Sequence, residues 1–314
     1  MKKIVALSIF AMISSFTFAQ QVSLNSHYML NDFVLNPAFA GAHKDVVPLT
    51  LTVRKQWTGF NGAPITQQFS ANADIGANFG LGLHFFNDLT GPTRRTGFNL
   101  ATSYKIPLDY SRRHSIRFGL SFILFEHVFD RNKLTYEMPY DNTIDQIYNQ
   151  NIIPDANFGM LYMRDSTIYG GFSVWNLIQS RADITHVSST YNNNINRLYY
   201  LYGGYNYSIN PDVMLKPSML LQFQGNAPAS FDVNVITKYK NMYWGGISYR
   251  YQDAVVIILG IDWNKFTFAY SYDITTSDIR KYSGGSHEFT FGYALDGKGM
   301  KFLDGLVRKR SSYE

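Results

Sequence analysis

Apolar and polar residues alternate along most of the chain from Leu49 onwards. The clearest example is 265–274, where every second residue is large and apolar: Phe266, Phe268, Tyr270, Tyr272 and Ile274. The residues between them are small or polar, and the same pattern recurs at 78–88 and 286–295. Because a period of two puts successive side chains on opposite faces of a β-strand, the chain is predicted to be all-β, with one apolar face on each strand.

The alternation predicts fourteen strands, at 49–57, 66–75, 78–88, 94–106, 114–125, 154–164, 167–176, 198–208, 212–224, 230–240, 242–251, 254–263, 265–274 and 286–295. The odd-numbered connections include the long ones, at 58–65, 126–153, 177–197 and 275–285. The even-numbered connections are mostly tight turns, at 76–77, 165–166, 210–211, 241 and 264. In a soluble sandwich the apolar rows would face a core. Long loops at one end and short turns at the other instead favour a transmembrane antiparallel β-barrel of about 14 strands, with extracellular loops and periplasmic turns.

The composition agrees with an apolar exterior. Aromatic and charged residues each make up 16% of the chain, against about 25% charged residues in ordinary soluble proteins. After the N-terminal region, the longest apolar run is Ala254–Leu259, far short of the roughly 18 residues of a membrane helix. The net charge of +5 comes from scattered cationic residues rather than a clustered stripe, so no nucleic-acid partner is expected.

Residues 1–19 have the features of a secretory signal peptide. Lys2 and Lys3 precede the apolar run Ile4–Phe18, and the small residue Ala19 provides a cleavage position before Gln20. The chain contains no cysteine, which excludes both a lipid anchor on an N-terminal cysteine and any disulfide. The mature protein is therefore expected in the outer membrane, with a β-barrel at 49–295 and a periplasmic C-terminal tail at 296–314.

Residues 20–48 precede the barrel and are predicted to form a plug in its lumen, or else a periplasmic segment. A barrel of this strand number is about 28 Å wide, which is too wide for wall side chains to fill. The segment is also too rich in apolar and aromatic residues for a solvated linker. We expect it to pack against the lumen faces of Arg54, Gln56, Gly80 and Gly82.

Four local sequences carry the most distinctive motifs. They are His27-Tyr28-Met29-Leu30-Asn31, Asn36-Pro37-Ala38-Phe39-Ala40-Gly41, Arg54-Lys55-Gln56-Trp57-Thr58-Gly59-Phe60-Asn61-Gly62-Ala63-Pro64-Ile65-Thr66 and Asn87-Asp88-Leu89-Thr90-Gly91-Pro92. At these residues the chain resembles the PorP/SprF family of outer-membrane proteins associated with the type IX secretion system. The resemblance implies an accessory protein that helps to secrete or anchor large cell-surface proteins, such as the adhesins of gliding motility. The implied partners are the C-terminal region of such an adhesin and the periplasmic and lipoprotein components of that machinery, besides outer-membrane lipid.

The motifs supply the candidate residues for binding the plug or a partner: Asn36, Pro37, Gly41, Arg54, Gln56, Trp57, Gly59, Gly62, Pro64, Asp88 and Gly91. Asn36 and Pro37 favour a turn, and Gly41 permits a backbone geometry that other residues resist. Arg54 and Gln56 share one strand face and are predicted to point into the lumen, where a guanidinium can bind carbonyl or carboxylate groups. The sequence leaves open whether the motif residues only fold the N-terminal segment or also contact a partner.

Catalytic motifs are weak. The seven histidines are dispersed, and no pair has the spacing of metal ligands. In Ser286-His287-Glu288 the serine and the glutamate lie on one strand face and the histidine lies on the other. A serine nucleophile must reach its histidine base, and this arrangement keeps the two apart. An enzymatic activity, a cofactor and a metal are therefore not expected. The alternative function is an outer-membrane channel for hydrophobic or small solutes, with the N-terminal segment as a hatch.

Overall fold

A computed structural model describes residues 25–130, 133, 151–180, 194–225 and 227–298. The predicted signal peptide and most of the predicted C-terminal tail lie outside these residues. So does most of the predicted loop at 126–153.

The described chain contains fifteen β segments. They are β1 (Val46–Lys55), β2 (Ile65–Gly76), β3 (Phe79–Thr90), β4 (Thr93–Pro107), β5 (His114–Phe129), β6 (Asn151–Arg164), β7 (Ile168–Trp175), β8 (Leu198–Tyr205), β9 (Tyr207–Ser208), β10 (Val213–Gln224), β11 (Ala227–Tyr239), β12 (Tyr243–Arg250), β13 (Ala254–Trp263), β14 (Phe266–Thr275) and β15 (Ser286–Asp296). A short 3-10 helix, Asp278–Lys281, lies between β14 and β15.

The strands close into a barrel because the first and last of them pair. β1 runs antiparallel to β15, from Val46 opposite Asp296 to Lys55 opposite His287. β8 and β9 are separated by Asn206 and both pair with β10, so they make up one strand of the barrel. The described residues therefore form a closed antiparallel barrel of 14 strands, which confirms the predicted fold class.

The two ends of the barrel differ in their connections. At one end, here called the short-turn end, the strands are joined at 77–78, 108–113, 165–167, 209–212, 240–242 and 264–265. At the opposite end, here called the long-loop end, the connections include 56–64, 130–150, 176–197 and 276–285. The chain enters β1 and leaves β15 at the short-turn end.

Large apolar side chains face outwards, and polar side chains face the lumen. In β14, Phe268 is 46% exposed, whereas Ser271 and Asp273 are at most 1% exposed. In β15, Phe289 is 58% exposed and Glu288 is fully buried. This arrangement is the reverse of a soluble sandwich and surrounds the barrel with the apolar surface that lipid requires. None of the described helices is long and apolar enough to cross a membrane.

Two of the tryptophans that lie near strand ends, Trp175 and Trp244, point into the lumen. Trp263, at the end of β13, is 57% exposed. Trp244 is buried, and its ring lies so close to Gly260 that a Cβ there would come within 2.1 Å of it. Trp175 donates its indole N–H to the carbonyl of Leu35 at 2.9 Å. Trp175 and Trp244 therefore pack the lumen rather than an aromatic girdle at the lipid interface.

Residues 25–45 lie inside the barrel and are called the plug segment below. They include three single-turn 3-10 helices, Tyr28–Leu30, Asp32–Val34 and Pro37–Phe39. The segment begins in the half of the lumen nearer the long-loop end, where Ser26 contacts β14 and β15. It leaves at the short-turn end and continues directly into β1.

The largest cluster of buried apolar residues lies between the plug segment and the wall. Phe33 and Phe39 of the plug segment belong to this cluster together with Leu161 of β6 and Tyr202 of β8. The rings of Phe39 and Tyr202 are stacked, with centroids 5.8 Å apart. Burying an apolar side chain of this size contributes about 1.5–3 kcal/mol, so a few such contacts suffice to hold the segment in place.

Candidate functional site

Four glycines of the wall, here called the seat glycines, allow the plug segment to lie directly on the strands: Gly80, Gly82, Gly119 and Gly159. A Cβ at Gly159 would lie 1.8 Å from Asn36 Oδ1, and one at Gly119 would lie 2.2 Å from the backbone nitrogen of Ala38. Side chains do not approach so closely. Any larger residue at either position must therefore displace the plug segment or bend the strand.

Gly80 and Gly82 of β3 leave space for the plug segment on either side of this stretch, at Ala40 and at Phe33. A Cβ at Gly80 would lie 2.0 Å from the carbonyl oxygen of Ala40, and one at Gly82 would lie 2.3 Å from the ring of Phe33. The four glycines come from three strands, β3, β5 and β6. The wall thus has a depression on one side that is shaped to the plug segment.

Asn36 is the residue of the plug segment that binds the wall beside the seat glycines. Its amide nitrogen, which carries two hydrogens, lies within hydrogen-bond distance of three acceptors: the carbonyls of Met160 at 3.0 Å and Phe172 at 3.1 Å, and the Tyr202 hydroxyl at 2.7 Å. Its Oδ1 accepts the N–H of Ala38 at 2.7 Å, which caps the following 3-10 helix. The residue is fully buried. One side chain therefore both forms the turn and binds three neighbouring positions of the wall.

Gly41 is required where the plug segment turns towards β1. Its φ is +64°, in the left-handed region that favours glycine, and a Cβ would lie 2.7 Å from the carbonyl oxygen of Ala73. Its N–H donates to Asn72 Oδ1 at 3.1 Å, and its carbonyl accepts from Arg117 at 2.8 Å. Both the backbone conformation and the space exclude other residues here.

A buried ion cluster, formed by Arg54, Arg250, Asp232, Asp273 and Glu288, binds the beginning of the plug segment. Arg54 contacts Asp273 at 2.7 Å and Glu288 at 3.1 Å. The Glu288 carboxylate accepts the backbone N–H groups of Ser26 at 2.7 Å and His27 at 2.9 Å. Because Arg54 lies on β1 and Glu288 on β15, the cluster also joins the two strands that close the barrel.

The second half of the ion cluster extends to β11 and β12. Arg250 lies 3.3 Å from Asp232. The Tyr28 hydroxyl accepts a bond from Asn234 Nδ2 at 2.5 Å and lies 3.4 Å from the Asp232 carboxylate. The cluster and the neighbouring Asn234 therefore hold Tyr28 as well as the Ser26 backbone.

The charges in this cluster depend on one another. Three carboxylates face two guanidinium groups, and all five side chains are at most 4% exposed. Removing one partner from such a buried pair leaves an uncompensated charge, which typically costs about 3–5 kcal/mol. Plug-segment N–H and hydroxyl groups supply further donors, so the plug segment helps to stabilise the charges that hold it.

A family described as type IX secretion system membrane protein PorP/SprF matches residues 17–293. The chain belongs to this family. The match confirms the resemblance suggested by the motifs and extends it over nearly the whole barrel.

The solved structures similar to this PorP/SprF protein include a membrane channel and a transporter. The "CymD monoaromatic hydrocarbon channel" has a TM-score of 0.51 at 10% identity, over 88% of this chain and 94% of that one. The Ralstonia pickettii toluene transporter TbuX has a TM-score of 0.50 at 8% identity, over 87% of this chain and 94% of that one. At such low identity the likeness concerns the fold alone. No curated protein sequence matches the chain.

The structure brings five of the motif candidates to the lumen: Asn36, Pro37, Gly41, Arg54 and Gln56. Arg54 and Gln56 are both buried, at 1% and 7% exposure. Gln56 lies just after β1, and its backbone N–H donates to the Pro64 carbonyl at 2.9 Å. These residues form one continuous region with the plug segment.

The remaining candidates lie at the long-loop end, away from the seat glycines. The Trp57 N–H donates to Ser286 Oγ at 3.0 Å. The N–H of Gly91 donates to the carbonyl of Gly62 at 3.0 Å. Gly59 has a φ of +125°, typical of glycine. The loop at 56–64 is thus hydrogen-bonded to the start of β15 and to the turn between β3 and β4.

Asp88 occupies a different position from these loop residues. It lies within β3, opposite Thr66 of β2 and Arg95 of β4. Arg95 in turn lies over the ring of Phe125, 4.7 Å from its centroid. Asp88 and Gly91 therefore belong to a wall and loop region that does not contact the plug segment in any described hydrogen bond.

Several residues that bind the plug segment were not predicted from the sequence: Asn72, Gly119, Gly159, Asp232, Arg250, Asp273 and Glu288. A signal was present, since the four charged residues occupy lumen-facing positions of otherwise alternating strands. The pairing between distant strands could not be derived from that signal, because it depends on how the barrel closes.

The family and the similar structures are of non-enzymatic kinds, a secretion component and transport channels. The strand faces around Ser286-His287-Glu288 are as predicted. Ser286 and Glu288 are buried in the lumen. His287 lies on the other face of the strand, where its Nδ1 is 2.8 Å from the Tyr270 hydroxyl. Among the described residues, no group of three or more His, Asp or Glu side chains is arranged to hold a metal ion.

Proposed function

We propose that this chain is a non-enzymatic outer-membrane component of type IX secretion that helps to secrete or anchor large cell-surface proteins of the gliding-adhesin type. Family membership supports the secretion role in general. The plug segment and its seat support a role as a binding platform rather than an open passage. The finer assignment, to surface-protein secretion or anchoring, is our proposal.

The observation that carries the proposal is the fit of the plug segment to the wall. Gly119 and Gly159 have no room for a Cβ beside it, and Asn36 is bonded to three wall positions. A barrel that serves as an open diffusion channel has no need for a wall shaped to an internal segment. A rigid, filled barrel instead offers stable surfaces at its two ends for protein partners.

In this proposal the long-loop end faces the cell exterior and the short-turn end faces the periplasm, as in other outer-membrane barrels. The secreted surface protein would then meet the loops at 56–64 and 276–285, and the secretion machinery would meet the short turns. Trp57, Gly59, Gly62, Pro64, Asp88 and Gly91 are the motif residues nearest the exterior in this orientation.

The experiment is a comparison of surface proteomes. A strain lacking this chain should lose one or more large surface proteins from intact cells and accumulate them in the periplasm or the medium. Reintroducing the full chain should restore them. Affinity purification of the chain from solubilised outer membranes should recover the same proteins. An unchanged surface proteome in the deletion strain would contradict the proposal.

The alternative is a channel for hydrophobic or small solutes, with the plug segment as its hatch. One observation favours it: a cavity of about 560 Å³ lies between the plug segment and the short-turn end. Its lining includes seven Lys and Arg residues, however, which suits a hydrophobic solute poorly. A deletion strain with normal surface proteins and a growth defect on such a solute would favour the channel.

A further inference from the structure

The cavity at the short-turn end, here called the basic vestibule, is strongly cationic. Seven Lys and Arg residues and three Asp residues line it, which leaves an excess of four positive charges. Its lining includes residues of the plug segment, such as Asp32 and Lys44, and residues of turns, such as Arg112 and Asp165. It is therefore bounded by the plug segment on one side and reaches the short-turn end on the other.

The ion pairs within the vestibule account for only part of this charge. Arg113 pairs with Asp165 at 2.9 Å, and Lys238 pairs with Asp262 at 2.7 Å. Arg117 donates to a plug-segment carbonyl, that of Gly41, at 2.8 Å. The other lining cations are Lys44, Lys105, Arg112 and Lys216, against the single remaining carboxylate of Asp32.

These cations come from well-separated parts of the wall. Lys105 lies on β4 and Arg112 on the following turn, whereas Lys216 lies on β10. The turn is itself fixed, because Asp109 accepts the His114 N–H at 2.9 Å and a bond from the Ser111 hydroxyl. These bonds lower the pKa of the Asp109 carboxyl, which stays ionised. A small anion can contact one of these groups, but only an extended ligand with several negative charges can contact both sides.

Residues 297–314 and the plug segment do not provide such a ligand. Residues 297–314, which follow β15 at the same end, contain five Lys and Arg residues and only two acidic ones. The plug segment already lies inside the barrel and leaves the excess positive charge exposed to the cavity. Charge complementarity therefore points to another molecule.

We infer that the basic vestibule binds an acidic peptide segment of a partner protein, which enters the barrel from the short-turn end. A volume of about 560 Å³ is within the range of sites that enclose a short ligand, about 300–1,000 Å³. The inference rests on the proposed function only in taking the partner to be a protein. The charge and the shape of the vestibule are independent of it.

The test measures binding of a short fluorescent peptide rich in aspartate and glutamate to the purified full chain, by anisotropy at low ionic strength. The wild-type barrel should bind it saturably, and salt should weaken binding because it screens the charges. The double variant Lys105→Glu and Lys216→Glu should bind about tenfold more weakly or worse, since each change replaces attraction by repulsion. The control variant Lys281→Glu, at an exposed site of the long-loop end, should bind like the wild type.

Folding of each variant is checked by the heat-dependent shift of the barrel in gel electrophoresis. If the double variant does not fold, the single variants Lys105→Gln and Lys216→Gln replace it, and each should weaken binding severalfold. Absence of saturable binding by the wild type, or equal binding by the vestibule variants and the control, would overturn the inference. Inorganic phosphate is the competitor for a simple anion site. The inference would also be overturned if phosphate displaced the labelled peptide at the same concentration as unlabelled peptide does. If the vestibule does not bind the peptide but the deletion strain has a changed surface proteome, the inference is wrong and the proposed function is still supported.

Discussion

At the scale of single residues, Asn36 and Gly159 fix the position of the plug segment against the wall. The Asn36 side chain is fully buried, and its oxygen occupies the space where a Gly159 side chain would begin. Its donors and acceptor have partners on the wall and on its own turn. An unpartnered buried amide costs about 1–3 kcal/mol, so a shift of the segment has a direct penalty.

We expect Gly159→Ala to weaken seating of the plug segment by about 2–4 kcal/mol, because the new methyl group forces Asn36 away from its partners. The control is Gly170→Ala on the neighbouring strand, where a Cβ would lie 3.8 Å from the nearest atom, the Tyr202 carbonyl oxygen. The chain has no cysteine, so a Leu35→Cys reporter can be labelled selectively. Its thiol should become reactive in the Gly159→Ala background and stay protected with Gly170→Ala. Equal protection in both would show that the wall tolerates a side chain at Gly159.

Arg54 allows a second test at this scale. Arg54→Met leaves Glu288 buried without its guanidinium and Asp273 with Arg250 alone, and should cost about 3–5 kcal/mol of stability. Arg113→Met removes a pair whose side chains are 59% and 39% exposed, and should cost no more than about 1 kcal/mol. The temperature at which the folded band disappears in electrophoresis should therefore fall clearly for the first variant only. Similar losses in the two variants would contradict the assignment of the ion cluster.

At the scale of elements, the strands follow from a simple physical rule. Lipid outside and a polar lumen inside impose a period of two, and the strands predicted from that period match those observed to within a few residues at most ends. The break at Asn206 was not predicted, since the alternation continues through it. The seat glycines on β5 and β6 and the carboxylates at 273 and 288 were also missed as binding groups. Their role depends on contacts between distant strands, which a local pattern does not contain.

Whether the outward face of β14 lies against lipid can be tested by replacing tyrosine with arginine at two positions. Tyr270→Arg puts a charge near the middle of a lipid-facing strand, which costs about 2–4 kcal/mol near the bilayer midplane. Tyr282→Arg makes the same change in the loop at the long-loop end, where the side chain is 75% exposed. We expect the first variant to assemble poorly or to lose heat resistance, and the second to behave like the wild type. If both are equally stable, β14 does not face lipid as described.

At the scale of the whole molecule, the orientation in the membrane decides which partners can reach which end. Single cysteines at Asn61, at the long-loop end, and at Asn241, at the short-turn end, both lie at exposed positions. On intact cells an impermeant thiol reagent should label the cysteine at Asn61 and leave the one at Asn241 unlabelled. Both should react after the membrane is opened. The reverse pattern on intact cells would invert the proposed orientation.

The central claim is that the plug segment seals a membrane barrel, and single-channel conductance in planar bilayers tests it most directly. Deletion of Asn25–Gly41 removes the segment from a lumen that is otherwise about 28 Å wide between backbones. The wild-type chain should show little conductance, and the deletion variant, checked for folding by its heat-dependent shift in electrophoresis, should show large, stable openings. A correctly folded deletion variant with the conductance of the wild type would contradict the account, because something other than the plug segment would then close the lumen.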